Sequence, residues 1–166
     1  MKKVLLCCLA CILSMSLFAQ DGILDGSICL KGGYNIQEKK PIAMMTVFAD
    51  FAFVRFQVES GILWYEGKSS TGDFLPYMTP SVGASYGDKN TVFLLIGLQP
   101  NVVKKQTSQT KMVLQPRIEL GYDISLSKRY FISLGAFYLI PYKESETLSY
   151  HQNFSVIIGV GYRIFR

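Results

Sequence analysis

The chain has 166 residues, 49% of them hydrophobic and 13% aromatic, with 17 basic against 12 acidic side chains. That length suits one domain. The modest positive excess, part of it in Lys2 and Lys3, gives no argument for nucleic acid, and a single histidine, His151, excludes a multi-histidine metal site.

The first element is an export signal. Met1-Lys2-Lys3 is positive, Val4 to Phe18 is apolar, and Ser16-Leu17-Phe18-Ala19 offers a small residue for cleavage before Gln20. This predicts a signal peptide over residues 1–19 and a single domain over residues 20–166. The apolar run is short for a retained membrane helix, which needs about 20 residues. A lipid-modified Cys11 is disfavoured, because the apolar run before it is too short and Cys8 stands at position minus three. Cys7, Cys8 and Cys11 leave with the signal. Cys29 remains alone within residues 20–166, so no internal disulfide forms there, and it reads as a small buried residue.

From residue 20 onward no stretch keeps a 3.6-residue period. Segments of about ten residues alternate with turn residues and are rich in Tyr, Phe, Val, Ile and Thr, as strands prefer. Eight strands are predicted. The first, Ser27 to Ile36, puts Ile28, Leu30, Tyr34 and Ile36 on one face. The second, Ile42 to Phe51, is the least regular. The third, Arg55 to Glu66, sets Phe56, Val58, Ile62 and Trp64 against Arg55, Gln57, Glu59 and Gly61. The fourth, Phe74 to Tyr86, carries Pro76 and Pro80 and is expected to be bulged or short. The fifth, Thr91 to Gln99, faces Val92, Leu94, Ile96 and Leu98 one way, and Pro100 to Lys111 is expected to be the longest polar loop. The sixth, Met112 to Asp123, sets Leu114, Ile118, Leu120 and Tyr122 against Gln115, Arg117 and Glu119. The seventh spans Tyr130 to Ile140. The eighth, from Asn153 to the last residue, sets Phe154, Val156, Ile158, Val160, Tyr162 and Ile164 against Ser155, Ile157, Gly159, Gly161 and Arg163.

One face is apolar in strand after strand, while the other carries charges and glycines. Gly33, Gly61, Gly83, Gly97, Gly121, Gly135 and Gly159 all fall opposite the apolar face. A narrow barrel needs small residues inside, where strands crowd and bend. Aromatic residues gather near strand ends: Tyr34, Trp64, Tyr65, Phe74, Tyr77, Tyr138 and Tyr142 at one, and Phe51, Phe53, Tyr86, Tyr122, Tyr130, Phe131, Tyr162 and Phe165 at the other. Two aromatic girdles suit a barrel crossing two membrane interfaces. The turns at Ala52, Gly87 and Ser125 are short, and the loops at Lys39, Ser70, Lys105 and Ser145 lie at the opposite end. The fold class read from these patterns is all-β: an eight-stranded antiparallel up-and-down transmembrane β-barrel, closed by its last strand against its first.

The segments VFADFAFVRFQVESGILWYEGK and LGYDISLSKRYFISLGAFY resemble the strand–short turn–strand units of the small eight-stranded outer-membrane β-barrel family, the broad porin-like class of outer-membrane proteins A and X. The resemblance covers the chain from about Gly26 onward. It implies a location in the outer membrane, a monomer without cofactor, and contact with outer-membrane lipid or lipopolysaccharide. The ending GVGYRIF is similar to the terminal-strand signal read by the barrel-assembly machinery, which puts Gly159, Tyr162 and Ile164 or Phe165 in the signal positions. Ile157, where a polar residue is usual, and Arg166 after the aromatic depart from it.

The inner face carries Lys31, Arg55, Glu59, Arg117, Glu119 and Arg163. Charges in a narrow lumen must pair, because an unpaired buried charge costs several kcal/mol. They are expected to plug the barrel rather than line a pore. His151 sits near Ser149, Glu144, Glu146 and Ser155, a set that would suit a lipid-modifying barrel enzyme only if base, nucleophile and acid touched. The sequence favours a solvated loop histidine. Lys104, Lys105, Lys111 and Lys143, expected in the outward loops, suit either lipopolysaccharide phosphates or solvent. The functional expectation is a structural or surface-interaction role. The alternatives are a lipid-modifying enzyme, or a soluble lipocalin-like barrel with Leu94, Ile96, Ile118, Leu120, Ile158 and Val160 facing inward.

Overall fold

The computed structural model describes residues 24–36, 39–65, 73–87, 89–104, 110–140 and 153–165. They form eight strands: β1 (Leu24–Asn35), β2 (Lys40–Phe51), β3 (Val54–Tyr65), β4 (Asp73–Tyr86), β5 (Thr91–Lys104), β6 (Thr110–Ser125), β7 (Tyr130–Leu139) and β8 (Asn153–Phe165). Each strand pairs antiparallel with its neighbours in chain order, and β8 returns to β1, from Gly26↔Phe165 to Asn35↔Ser155, so the sheet closes. A closed sheet leaves no free edge, the condition for strands to stand in lipid. The shortest strand, β7, has 10 residues, and the longest, β6, has 16. Tilted strands of this length cross a hydrocarbon core about 30 Å thick.

Alternation decides which face meets what. Leu30, Val47, Phe56, Val58, Val82, Leu94, Ile96, Leu120, Ile158 and Val160 are exposed on the outer face, Leu30 at 66% and Ile96 at 62%. Lys31, Arg55, Glu59, Arg117, Glu119, Asp123 and Arg163 are buried on the inner face. This is the reverse of a water-soluble barrel. It disposes of the lipocalin-like alternative, whose six apolar residues all face outward.

Three short connections, residues 52–53, 87–90 and 126–129, share one end of the barrel, here the turn end. Ala52 takes a positive φ of 54° and Gly87 one of 125°, the tight reversals such turns require. Gly87 is the residue type that adopts this geometry without steric cost. Residues 36–39, 66–72, 105–109 and 140–152 connect strands at the other, loop end. The turn end is laced together by side chains. Arg163 Nη2 donates to Ser125 Oγ at 2.7 Å and to the Lys89 carbonyl at 3.4 Å. Ser125 Oγ in turn donates to the Lys89 carbonyl, and Ser125 N donates to Asn90 Oδ1 at 3.1 Å.

Several expectations change. Pro100 and Lys111 are not loop residues: β5 continues to Lys104 and β6 begins at Thr110, with Val103↔Lys111 and Lys104↔Thr110 paired. Lys104 and Lys111 are therefore strand residues. The pairing of β5 with β6 is enough to carry a polar sequence as strand, since β-propensity yields to context. Strand β4 is neither short nor bulged against β3, with which it pairs without a break from Val54↔Ala84 to Tyr65↔Asp73. Its prolines act on the other side, where pairing with β5 covers only Ser81 to Tyr86. Two aromatic residues expected in the girdles face inward instead. Tyr77 is buried beside Glu59, and Phe131 is buried beside Phe48. Both share the parity of inward glycines on their own strands, Gly83 and Gly135. Tyr34, Tyr86, Tyr122 and Tyr130 do lie exposed on the outside, and Tyr142 lies outside the described residues.

Candidate functional site

The lumen is the site. Each inward residue is placed by strand alternation alone, and eight strands bring them within reach of one another. Two charged clusters result. Near the turn end, Arg55 binds Asp50 through both Nε and Nη2, each at 2.8 Å, and Asp123 Oδ2 through Nη1 at 2.7 Å. Ser85 Oγ adds a hydrogen bond to Asp50 Oδ1 at 2.9 Å. The fork matches two carboxylate oxygens at once, the geometry a guanidinium favours.

The second cluster lies deeper. Arg117 donates from Nη1 and Nη2 to the two oxygens of Glu59, and from Nη2 to Glu119 Oε2 at 2.7 Å. Lys31 Nζ reaches Glu119 Oε1 at 2.9 Å across the lumen. Gln57 Nε2 donates to Glu119 Oε2 at 3.1 Å, and Tyr77 OH to Glu59 Oε1 at 3.2 Å. Gln99 accepts from Arg117 Nη1 at 3.3 Å. Glu59 is 0% and Arg117 1% exposed, so these pairs are held away from solvent. Two cations against two carboxylates balance, which a dry interior demands.

Aromatic rings fill the remaining space and lie against the cations. The Arg55 guanidinium sits 4.0 Å from the Phe48 centroid and 4.4 Å from that of Phe93, and Arg117 sits 3.7 Å over Phe137. Such contacts contribute about 2 kcal/mol each when desolvated. Glycines make room for the rings. A methyl group on Gly121 would run into the ring of Phe93, one on Gly161 into Phe131, and one on Gly61 into Tyr77. The opposite wall is apolar, with Met44, Phe137, Leu139 and Ile157 packed together. Cys29 is buried in a second cluster with Phe48 and Phe131.

All six charged residues expected in the lumen face inward. Five of them, Lys31, Arg55, Glu59, Arg117 and Glu119, join the ion pairs. Arg163 ties β8 to the turns. Gly33, Gly61, Gly83, Gly97, Gly121, Gly135 and Gly159 occupy inward positions among them. Sequence reasoning missed Asp50, Asp123, Gln99 and Tyr77, while Gln57 was placed on the inner face but not among the charged set. Asp123 shares the parity of Arg117 and Glu119, and that signal was sufficient to find it. A small polar recess at the turn end is lined by Asp25, Asp50, Arg55, Asp123 and Arg163. No group of three or more His, Cys, Asp or Glu is placed to hold a metal ion among the described residues. Of the residues considered for catalysis, His151, Ser149, Glu144 and Glu146 lie outside the described residues, and Ser155 is buried on the inner face of β8.

No protein-family model matches the chain, and no curated protein sequence matches it. Solved structures do. Neisserial surface protein A is 11% identical, covering 86% of this chain and 96% of its own, with a TM-score of 0.53. The N-terminal β-barrel domain of Pseudomonas aeruginosa OprF is 11% identical, covering 84% and 97%, at 0.51. The Yersinia pestis outer membrane protein Ail, solved in a phospholipid bilayer nanodisc, is 13% identical, covering 84% and 99%, at 0.50. At these identities the likeness is one of fold: the chain has the architecture of small eight-stranded outer-membrane barrels.

Proposed function

We propose that this chain is an outer-membrane barrel with a structural or surface-interaction role, its lumen closed by its own side chains. The observation that carries the reading is the combination of an apolar exterior with an interior in which cations and carboxylates are bound to one another from β1 across to β6. Large apolar surface of this extent is tolerated in lipid and not in water. An interior filled by paired side chains leaves no wide aqueous path. The fold's likeness to outer-membrane barrels supports the same location. Short turns then face the periplasm, and the longer connections face outward and carry whatever contacts the surface makes. Residues 1–19 serve as the export signal in this reading. Gly159, Tyr162, Ile164 and Phe165, on the strand that closes the barrel, serve as the signal for the barrel-assembly machinery. A closed sheet needs no second copy, so the working unit is a monomer, with outer-membrane lipid and lipopolysaccharide as its surroundings.

Planar-bilayer recordings test the closed lumen. Purified, refolded protein is expected to leave the conductance at baseline. Stable open-channel steps would contradict the plug and turn the charged clusters into the wall of a pore.

A further inference from the structure

Two arginines at the turn end point opposite ways. Arg163 turns into the lumen, where it is buried and donates to Ser125 Oγ and to the Lys89 carbonyl. Arg129 is exposed and turns outward: its Nη1 donates at 2.9 Å to the hydroxyl of Tyr162, on the outer face of β8. The backbone beneath Arg129 is tied down. Its N–H and that of Tyr130 donate to Ser127 Oγ at 3.2 and 3.0 Å, and its carbonyl accepts from Arg163 N at 2.8 Å. The Tyr162 ring is held in turn, edge to face with Tyr130 at a centroid distance of 5.4 Å. A long cationic side chain beside lipid commonly reaches away toward water. This one is fixed against the outer wall, at the level where an aromatic belt meets the membrane interface.

The surroundings suit an anion with an apolar tail. Lys128, the next residue, is exposed as well. No acidic residue occurs in the turn 126–129, in β7 or in β8. The acids of this end are turned inward: Asp25 lines the inner recess, and Asp50 and Asp123 are bound to Arg55. Toward the middle of the barrel the outer wall continues through Tyr130 and Val160, both exposed. A guanidinium has five N–H donors, and among the described residues Tyr162 takes one, so the fork keeps donors for two phosphate oxygens. We infer that Arg129, Lys128 and Tyr162 form a headgroup site for an anionic phospholipid of the leaflet at the turn end, with the phosphate on the Arg129 fork and the acyl chains along Tyr130 and Val160. The occupant is a lipid because the guanidinium is pinned to the face that runs into the hydrocarbon belt. The inference rests on the membrane-barrel reading under the proposed function, and adds a partner at the end opposite the longer connections.

The test uses the full chain refolded in detergent, with phosphatidylglycerol and phosphatidylcholine of the same acyl chains supplied at equal concentration. Native mass spectrometry reads the ratio of the two lipids bound. Phosphatidylglycerol is expected to be preferred. Arg129→Gln is expected to lower that preference about five-fold, the worth of one basic residue beside an anionic membrane surface. Tyr162→Phe keeps the ring pair but removes the hydroxyl that aims Arg129, and a smaller loss in the same direction is expected. Lys39→Asn removes one charge at the loop end, where asparagine suits the φ of 54°, and is expected to leave the preference unchanged. An unchanged ratio in Arg129→Gln, or an equal loss in Lys39→Asn, would overturn the site while leaving the membrane barrel intact. Displacement of bound phosphatidylglycerol by an equal concentration of glycerol phosphate would overturn the lipid as occupant. A chain whose gel mobility does not change on boiling would overturn both the barrel and the site.

Discussion

The two walls of the lumen solve one problem with different chemistry. Around β3 and β6 the interior is filled by Arg55, Glu59, Arg117, Glu119 and Asp123, and across from them by Met44, Phe137, Leu139 and Ile157. Both fills are buried, apart from the Asp50 side chain at the turn end. The charged wall holds only because each cation has its carboxylate within hydrogen-bond distance. The apolar wall needs no such matching, only volume. Position in the barrel therefore does not dictate polarity. It dictates that every charge be paired and every ring be given room.

That difference can be broken from either side. Arg117→Ala strands Glu59 and Glu119 without their shared partner. It is expected to cost about 3–5 kcal/mol, the usual result of removing one member of a buried pair. Urea unfolding in vesicles, followed by gel mobility, measures it, and a loss below about 1 kcal/mol would mean the cluster is solvated. On the outside, Ile96→Arg places a charge midway along β5 against lipid, with an expected cost of about 2–4 kcal/mol. An unchanged unfolding midpoint would put Ile96 out of contact with the hydrocarbon.

Smaller changes sharpen the contrast. Gly121→Ala drives a methyl group into the Phe93 ring and is expected to cost about 1–3 kcal/mol by overpacking. Adding Phe93→Leu should recover part of that loss, and an additive double variant would show that the two do not compete for space. Least of all, Thr79→Val removes a buried hydroxyl that no described residue satisfies. Its effect is expected within about 1 kcal/mol and toward greater stability, because no hydrogen bond is lost with it. A large destabilisation would reveal a partner for Thr79.

The period of two made most of this legible before any coordinates. It placed Lys31, Glu59, Arg117 and Glu119 inside and Ile96 and Val160 outside, because lipid on one face and a crowded lumen on the other leave opposite compositions. It was less informative where both faces are apolar. On β2, Met44 and Phe48 point in and Met45 and Val47 point out, so the strand carries no visible alternation. Tyr77 and Phe131 were assigned by their nearness to strand ends, although their parity already marked them as inward. Asp50 and Asp123 sit beside turns, where aspartate is common for other reasons. The extension of β5 and β6 past Pro100 comes from their partnership, which neither segment shows alone.

The most direct measurement is gel electrophoresis of the membrane fraction from expressing cells, with and without boiling. The account predicts an outer-membrane protein that stays folded in detergent at room temperature and shifts mobility when boiled. A soluble periplasmic protein with no shift would contradict it, and with it the assignment of the apolar face to lipid.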